Sequence, residues 1–315
     1  MRNAFAKEME NQAQKNDSII LLTGDIGNRL FDSYKAKFPQ RFYNCGVAEA
    51  NMTSMAAGMS MSGLQPVTYT IAPFNTSRCY EQIKIDICYH DLPVIVVGVG
   101  AGLSYAGLGA THHSFEDISI MRTLPGMHVV CPADSVEVKL CLEQAFKLKK
   151  PVYIRLGKKN EPIIHDSEPE FAIGKAIIIK EGKDICLFGT GNILPVVCEA
   201  ADELEKKGLN AMVVSMHTVK PLDRQMLERV FSDFRLICSI EEHSLIGGLG
   251  SAVAEWMVDN ASNFDSRPDL LRFGIKDAFL HRTGYQENAR KMTGLTSDNI
   301  VSSVLTKLNN RKMHA

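Results

Sequence analysis

The most constraining feature of this chain is a regular alternation of short apolar segments with longer amphipathic ones. SIILLTGD (18–25), QPVTYTI (65–71) and LPVIVVGVG (92–100) are typical of buried strands, and SVEVKLCLEQAFKL (135–148) is typical of a helix. Strands that alternate with helices predict parallel sheets whose faces are covered by helices. We therefore expect an α/β fold built from two doubly wound units.

A polar segment interrupts this alternation near the middle of the chain. Residues 158–174, KKNEPIIHDSEPEFAIG, contain two prolines and several acids, and we interpret them as an interdomain linker. A length of 315 residues is also consistent with two domains. We predict one domain over residues 1–165 and a second over residues 175–315.

Charge and cysteine content exclude several classes of protein. The net charge is −1, which gives no electrostatic basis for binding nucleic acid or an anionic membrane. No apolar run reaches the roughly 18 residues that a membrane helix needs. The eight cysteines form no CxxC pair, and the acid-containing N-terminal segment does not resemble a signal peptide. We expect a cytoplasmic protein with reduced, mostly packed thiols.

Four turns at the predicted strand ends carry most of the chemistry-bearing residues. They are TGDIGNR (23–29), NCGVAEAN (44–51), GAGLSYAGLGATHHSFED (100–117) and RLGKKN (155–160). Ligand sites in doubly wound sheets form where strands end and helices begin. The third turn is glycine-rich and carries two adjacent histidines, which is consistent either with a ligand-binding loop or with a flexible surface loop. Adjacent histidines rarely face one ion, so we predict no metal site.

Three glycine-rich segments look like nucleotide loops but lack the complete pattern. TGDIGN (23–28) is not followed by the GK[ST] of a phosphate-binding loop. FGTGN (188–192) and IGGLG (246–250) do not complete GxGxxG with an acid beyond the next strand. We expect these segments to be strand-end turns and packed helix starts.

Glu49 is a single carboxylate at the start of an apolar helix. Met52, Met55, Ala56 and Met59 follow it at helical spacing. An acid in the first turn can simply complement the helix dipole. A carboxyl with such apolar neighbours can also be a desolvated functional acid.

Together, the motifs resemble the C-terminal half of transketolase, and the closest likeness is to the separately encoded second subunit of split transketolases. They occur in family order along nearly the whole chain: GVAEANMTSMAAGMSMSG (46–63), PF…R.YEQI (73–83), GLGATHHSFEDISIMRTLPGM (107–127), PAD (132–134) and EEHSLIGGLGSAVAE (241–255). The resemblance implies a pyrimidine-binding domain over 1–165 and a transketolase C-terminal domain over 175–315. It implies transfer of a two-carbon ketol unit between a ketose, or ketose phosphate, and an aldose.

The resemblance also implies thiamine diphosphate as cofactor. The family's pyrophosphate domain, with its GDG…N magnesium site, is not found in this sequence. A separately encoded N-terminal subunit would therefore supply it and hold most of the Mg²⁺, and we expect an α2β2 heterotetramer.

The resemblance assigns roles to several residues by matched position. Glu49 corresponds to the acid that binds the far ring nitrogen of the cofactor's aminopyrimidine and promotes its proton abstraction. Phe74 corresponds to the aromatic residue that stacks on that ring, and Arg78, in the helix after it, is a candidate cofactor-site residue that is expected to support that loop. His112 corresponds to the loop histidine that contacts the donor ketose.

Basic residues are the candidates for binding a substrate phosphate. Lys158 falls where the family usually has an arginine, and a lysine binds phosphate as a point charge with less geometric discrimination. Arg2 and Arg29 are weaker candidates for the same phosphate.

Two departures from the family pattern indicate an altered substrate. Leu108 replaces an aspartate that reads a substrate hydroxyl, and Gly100 aligns with an upstream loop histidine. Losing such an acceptor costs on the order of 1–3 kcal/mol for a hydroxylated substrate. We hypothesise a less hydroxylated or deoxy sugar, or a sugar tethered to a larger carrier.

Three alternatives stay open at the level of sequence. The chain could be half of a deoxyxylulose-phosphate-synthase-like enzyme, the beta-type subunit of a 2-oxo-acid dehydrogenase, or a non-catalytic transketolase-like scaffold. The TH motif disfavours the dehydrogenase subunit, and Glu49 disfavours the scaffold.

Overall fold

The computed structural model describes residues 1–27, 29–158, 160–264, 267–281 and 284–313. Its two sheets have seven and five strands, and most neighbouring strands run parallel. Helices pack on the sheet faces around buried apolar clusters. The predicted α/β class with two doubly wound units is confirmed.

The first unit contains the seven-stranded sheet, in the order β10-β5-β6-β4-β3-β1-β2. Its strands are β1 Ile19–Thr23, β2 Phe42–Asn44, β3 Gln65–Ile71, β4 Ile95–Val99, β5 His128–Val130 and β6 Val152–Leu156, joined by β10 Thr218–Lys220. Its helices are α1 Arg2–Lys15, α2 Asp32–Lys37, α3 Glu49–Met61, α4 Ala72–Asn75, α5 Tyr80–Gln82, α6 Asp117–Thr123 and α7 Ser135–Leu148, and a π-helical turn, Ile83–Cys88, continues α5.

The second unit contains the five-stranded sheet, in the order β12-β11-β8-β9-β7. Its strands are β7 Ile177–Lys180, β8 Ile185–Thr190, β9 Ala211–Ser215, β11 Leu236–Ser244 and β12 Asp269–Ile275. Its helices are α8 Leu194–Glu205, α9 Arg224–Asp233, α10 Leu249–Asp259, α11 Gln286–Thr293 and α12 Ser297–Met313.

Two edge strands depart from the predicted all-parallel arrangement. β7 pairs antiparallel with β9, and β10 pairs antiparallel with β5. The second of these pairings crosses between the units, because β10 belongs by sequence to the second unit. A three-residue strand offers no periodicity from which to predict such a pairing.

The buried face of α3 differs from the predicted one at one position. Met52 and Ala56 are fully buried as expected, whereas Met55 is exposed. The buried residues of the helix follow i, i+3, i+4 spacing from the acid itself: Glu49, Met52, Thr53, Ala56, Ala57 and Ser60. The acid is therefore on the buried face of the helix.

The cysteines and helices bear on where the protein resides. All eight cysteines are free thiols, and six of them are buried. Within the described ranges, no helix combines the length and apolarity needed to cross a membrane.

A buried ion pair links the two units behind the strand ends. Arg155 in β6 is 1 % exposed; its Nε lies 2.7 Å from Asp117 Oδ2, and the Tyr153 hydroxyl donates to the same oxygen at 2.6 Å. Arg155 Nη2 also donates to the carbonyl oxygen of Glu242 in the second unit at 2.9 Å. Burial raises the pKa of Asp117, but the Arg155 charge and its hydrogen bonds outweigh burial and hold it below the usual value.

We predict that Asp117→Asn destabilises the protein by about 3–5 kcal/mol at neutral pH, because it leaves the Arg155 charge buried without a counter-charge. Since the pKa of Asp117 is depressed in the folded chain, its stabilisation is present above the unfolded pKa and is lost as pH falls through the folded pKa. Urea denaturation measures the change. Glu205→Gln, which breaks the exposed pair with Lys180, is the control and should leave the midpoint unchanged. Equal midpoints for Asp117→Asn and wild type would contradict the assignment.

Candidate active site

Five parallel strands bring the sequence-predicted segments to one edge of the first sheet. β6, β4, β3, β1 and β2 are neighbours in that order. The chain leaves β1 to form β2 on one side and β3 on the other, so the strand order reverses at β1. Ligands bind beyond the carboxyl ends of strands at such a switch point. Glu49 follows β2 and Phe74 follows β3, on the two sides of β1.

Glu49 is buried at this crevice and is held by an arginine. Its side chain is 4 % exposed, and its Oε2 accepts a hydrogen bond from Arg78 Nη1 at 2.7 Å. Oε1 has no hydrogen-bond partner among the described residues. The expected desolvation of this acid is confirmed, whereas its ion pair with Arg78 was not predicted. One carboxylate oxygen is thus fixed and the other is available to a ligand.

The crevice beside Glu49 is narrow and contains unpaired polar atoms. A Cβ added at Gly24 would lie 2.8 Å from Thr70 Oγ1 and 3.6 Å from Glu49 Oε1. The Thr70 hydroxyl is buried without a partner among the described residues. An unsatisfied buried hydroxyl is costly unless a ligand or water completes it. The glycine keeps the strand end open, and the hydroxyl provides hydrogen-bonding capacity there.

A continuous series of side-chain contacts, most of them to aromatic or histidine rings, extends from Glu49 across the strand ends. The Arg78 guanidinium lies 4.1 Å from the centroid of the Phe74 ring. Phe74 contacts the His112 ring edge-on, with centroids 5.2 Å apart. Tyr105 contacts His112 on another side at 6.1 Å, and Lys158 Nζ lies 4.8 Å from the Tyr105 centroid. The structure therefore brings together five predicted site residues, Glu49 included, and adds Tyr105 between His112 and Lys158.

The glycine-rich loop that carries His112 is fixed by the second unit. The backbone N–H of Leu103 donates to Glu242 Oε2 at 3.0 Å, and Glu242 is fully buried. Arg290 and Gln286 of α11 also donate to this carboxylate. At the far end of the loop, Arg155 Nη2 donates to the Ser114 carbonyl oxygen at 2.9 Å. The loop is anchored at both ends, which argues against the flexible-loop alternative.

His112 itself is partly exposed and is biased toward the neutral form. Burial lowers its pKa, and the neighbouring His113 lowers it further. Nδ1 is engaged by the Thr111 hydroxyl at 2.9 Å. His113 differs, because it is buried, stacks on Phe115 and hydrogen-bonds the Ala106 carbonyl oxygen through Nε2. The two histidines therefore have separate surroundings.

The remaining candidates lie at different distances from this series of contacts. Arg2 lies within hydrogen-bonding reach of the Tyr105 hydroxyl: burial raises the pKa of Tyr105, and the Arg2 charge and hydrogen bond partly offset this. Arg29 is exposed in the turn after β1, with φ 65°, and its side chain forms no hydrogen bond or ion pair with another described residue. Leu108 is 56 % exposed at the end of the short 3-10 turn Ala106–Leu108. Leu108 is joined to the series through its backbone N–H, which donates to the Tyr105 carbonyl oxygen at 2.8 Å.

The glycine-rich segments IGGLG and TGDIGN have different surroundings in the structure. In IGGLG, the backbone N–H groups of Leu249 and Gly250 donate to the buried Glu241 carboxylate at 2.7 and 2.8 Å. The start of α10 is thus capped by the protein itself, as packing predicts. In TGDIGN, Asp25 is exposed, and Gly24 lies beside Glu49 Oε1.

Comparison with known proteins identifies the family. The model of the transketolase pyrimidine-binding domain matches residues 1–162, and that of the transketolase C-terminal domain matches residues 174–300. The chain belongs to the transketolase family. It contains the two domains that form the C-terminal section of these thiamine-diphosphate-dependent enzymes.

Individual relatives place this transketolase chain among those encoded in separate parts. A putative transketolase C-terminal section of Methanocaldococcus jannaschii is 34 % identical, over 98 % of this chain and 96 % of its own length. The 6-deoxy-6-sulfo-D-fructose transketolase subunit SqwH of a Clostridium species is 34 % identical, over 96 % of this chain and 92 % of its own. A solved structure described as a split gene transketolase, inactive beta4 tetramer, has a TM-score of 0.89 and 35 % identity, over 98 % of both chains.

The family implies a cofactor, and the residues at the crevice fit its pyrimidine end. A buried carboxylate with one free oxygen, an unpaired hydroxyl and an adjacent aromatic ring suit a flat ring that carries nitrogen donors and acceptors. Among the described residues, no cluster of three or more His, Cys, Asp or Glu side chains is placed to hold a metal ion.

We predict that His112 titrates below the ordinary histidine value of about 6.5, because burial and His113 both disfavour its protonated form. The measurement is a proton NMR titration of the ring, assigned by loss of the signal in His112→Asn. His113→Gln keeps a donor for the Ala106 carbonyl but removes the neighbouring charge, so it should raise the midpoint. A wild-type midpoint at or above 6.5 would show that this environment is wrong.

Proposed function

We propose that this chain is the catalytic second subunit of a split transketolase that moves a two-carbon ketol unit from a ketose to an aldose. The observation that carries the proposal is Glu49, a buried carboxylate with one free oxygen at the switch point of a transketolase pyrimidine-binding domain. A scaffold protein would have no need of a buried acid beside an unpaired hydroxyl. The reaction takes place in a complex with a partner that carries the diphosphate-binding domain.

Glu49, Phe74 and Arg78 form this chain's half of the cofactor site. Bound thiamine diphosphate supplies the electron sink for breaking and forming the carbon–carbon bond. Glu49 Oε1 hydrogen-bonds the far nitrogen of the aminopyrimidine ring and holds a proton at that atom. Phe74 packs against the ring. Arg78 orients Glu49 through Oε2 and covers one face of Phe74, so the face left for stacking is the other one.

His112, Lys158 and Arg2 form the substrate side of the site. His112 contacts Phe74, so a substrate next to the cofactor ring is within its reach. Its neutral imidazole can donate to or accept from a substrate hydroxyl. Lys158 and Arg2 are both adjacent to Tyr105 and attract the anionic end of a sugar phosphate. Arg29 is a more distant candidate for the same anion.

The substrate is a sugar with fewer or rearranged hydroxyls compared with the usual pentose phosphates. Leu108 cannot accept a hydrogen bond from a hydroxyl, and Gly100 has no side chain. The SqwH relative, named for 6-deoxy-6-sulfo-D-fructose, supports this proposal because its named ketose lacks an oxygen at one carbon and carries an anion there. A deoxygenated or otherwise modified sugar with an anionic end fits both the apolar and the basic residues.

The functional assembly is an α2β2 heterotetramer in the cytoplasm, with two copies of this chain at its centre. The partner subunit holds the diphosphate and Mg²⁺. The solved relative described as an inactive beta4 tetramer supports this arrangement, because that relative is inactive as an assembly of β chains alone. Exposed apolar residues beside Glu49 (Val47, 77 % exposed, and Met55, 36 % exposed) give the partner a surface to cover.

We predict that Glu49→Gln lowers kcat of the reconstituted complex by about 10²–10⁴-fold, because glutamine cannot supply the carboxyl proton that the cofactor ring requires. Assembly, measured by size-exclusion chromatography with the partner, should not change. Glu81→Gln, which alters an exposed acid on the nearby helix, is the matched control and should keep full activity. Unchanged turnover in Glu49→Gln would refute the catalytic role. Product formation that requires pyruvate would instead favour the synthase or dehydrogenase alternatives.

We predict that Leu108→Asp raises kcat/KM for xylulose 5-phosphate with ribose 5-phosphate by about tenfold, because it restores an acceptor for a substrate hydroxyl. Steady-state kinetics on the reconstituted complex measure the change. Ile163→Asp, at another exposed apolar position, is the control for the added charge. If the wild-type complex used these two sugars as efficiently as a housekeeping transketolase does, the altered-substrate proposal would be contradicted.

A further inference from the structure

Tyr105 occupies the space that a side chain at position 100 would need. A Cβ added at Gly100 would lie 1.9 Å from both Cδ2 and Cε2 of the Tyr105 ring. Such a distance is far inside van der Waals contact, so only glycine fits here while the ring keeps its place. Gly100 also has φ +79°, a conformation that glycine adopts without strain. The Tyr105 ring can therefore occupy its position only because the residue after β4 is a glycine.

The ring lies between the groups that face the substrate. It contacts His112 edge-on at 6.1 Å, and Lys158 Nζ lies over it at 4.8 Å from its centroid. The backbone carbonyl of Tyr105 accepts from the N–H of Leu108 at 2.8 Å, within the turn that carries that residue. Movement of the ring would therefore disturb His112 and Lys158, and movement of the Tyr105 backbone would disturb the Leu108 turn.

The surroundings of Tyr105 keep its hydroxyl in the protonated form. Burial raises the pKa of the phenol, and the neighbouring Arg2 only partly offsets this. The hydroxyl can therefore donate a hydrogen bond at neutral pH. Arg2 Nε is buried and has no hydrogen-bond partner among the described residues, so a donor beside Tyr105 is left available to a ligand. Buried donors of this kind are normally satisfied.

We infer that Tyr105 is a substrate-binding residue that determines specificity, with its hydroxyl bonding an oxygen of the donor sugar between His112 and Lys158. It supplies the polar contact that Gly100 cannot make. The ligand class is a ketose with an anionic terminal substituent, whose charge lies toward Arg2 and Lys158. This inference rests on the proposed function, because it assigns a residue to the substrate side of the same site.

The test is the variant Tyr105→Phe in the reconstituted complex with its active donor. Phenylalanine keeps the ring contacts with His112 and Lys158 and removes only the hydroxyl. We expect KM for the donor to rise about tenfold, with kcat within about twofold of wild type, because the lost contact is a binding contact. Tyr89→Phe, at a tyrosine that is 81 % exposed, is the control and should change neither constant.

A second variant, Gly100→Ala, tests the packing part of the inference. Its methyl group would enter the space of the Tyr105 ring, so KM for the donor should rise at least as much as in Tyr105→Phe. Gly208→Ala has a similar positive φ of +82° with open space around the added methyl, so it carries the same backbone strain without the displacement and should keep the wild-type KM.

Each outcome bears on a definite claim. An active complex in which Tyr105→Phe has an unchanged KM refutes the inference and leaves the proposed function standing. A fall in kcat with unchanged KM also refutes it, since Tyr105 would then act on the reaction and not on binding. A wild-type complex that transfers no ketol unit from any anionic ketose refutes the proposed function and the inference with it.

Discussion

A single buried guanidinium, that of Arg155, connects the candidate site to both domains. Arg155 lies in β6, pairs with Asp117 at the start of α6, and donates to carbonyl oxygens of Ser114 and Glu242. These contacts join the strand that leads to Lys158, the end of the His112 loop and the edge of the second domain. A buried charge must keep its partners, so the elements that it joins cannot separate without a large cost. The loop geometry depends on this constraint.

The second domain supports the loop that carries His112, away from Glu49. Glu242 receives hydrogen bonds from Leu103 of the loop and from Arg290 and Gln286 of α11. Among the described residues, the side chain that hydrogen-bonds the Glu49 carboxylate is Arg78 of the first domain. In the proposed function the loop forms the substrate side and Glu49 the cofactor side, so the two sides have separate supports. Under that proposal, substrate preference can change through a loop residue such as Leu108 while Glu49 keeps its surroundings.

The parts of this arrangement that follow from local pattern could be predicted from the sequence, and those that depend on tertiary contact could not. Alternating apolar segments predicted the parallel sheets, and the strand-end rule indicated the turns that carry Glu49, His112 and Lys158, whereas Phe74 was assigned by resemblance to the family. The crossing of β10 into the first sheet could not be predicted, because three residues carry no periodicity. Nor could the Glu49–Arg78 pair or the Tyr105 ring over Gly100, since both depend on side-chain directions in loops.

The central claim is that this chain holds half of a cofactor site and that a partner chain completes it. Isothermal titration calorimetry of thiamine diphosphate with Mg²⁺ tests it most directly, with this chain alone, with a partner that carries GDG…N, and with the two mixed. The account predicts tight binding and ketol transfer only for the mixture. Tight binding and turnover by this chain alone would contradict it.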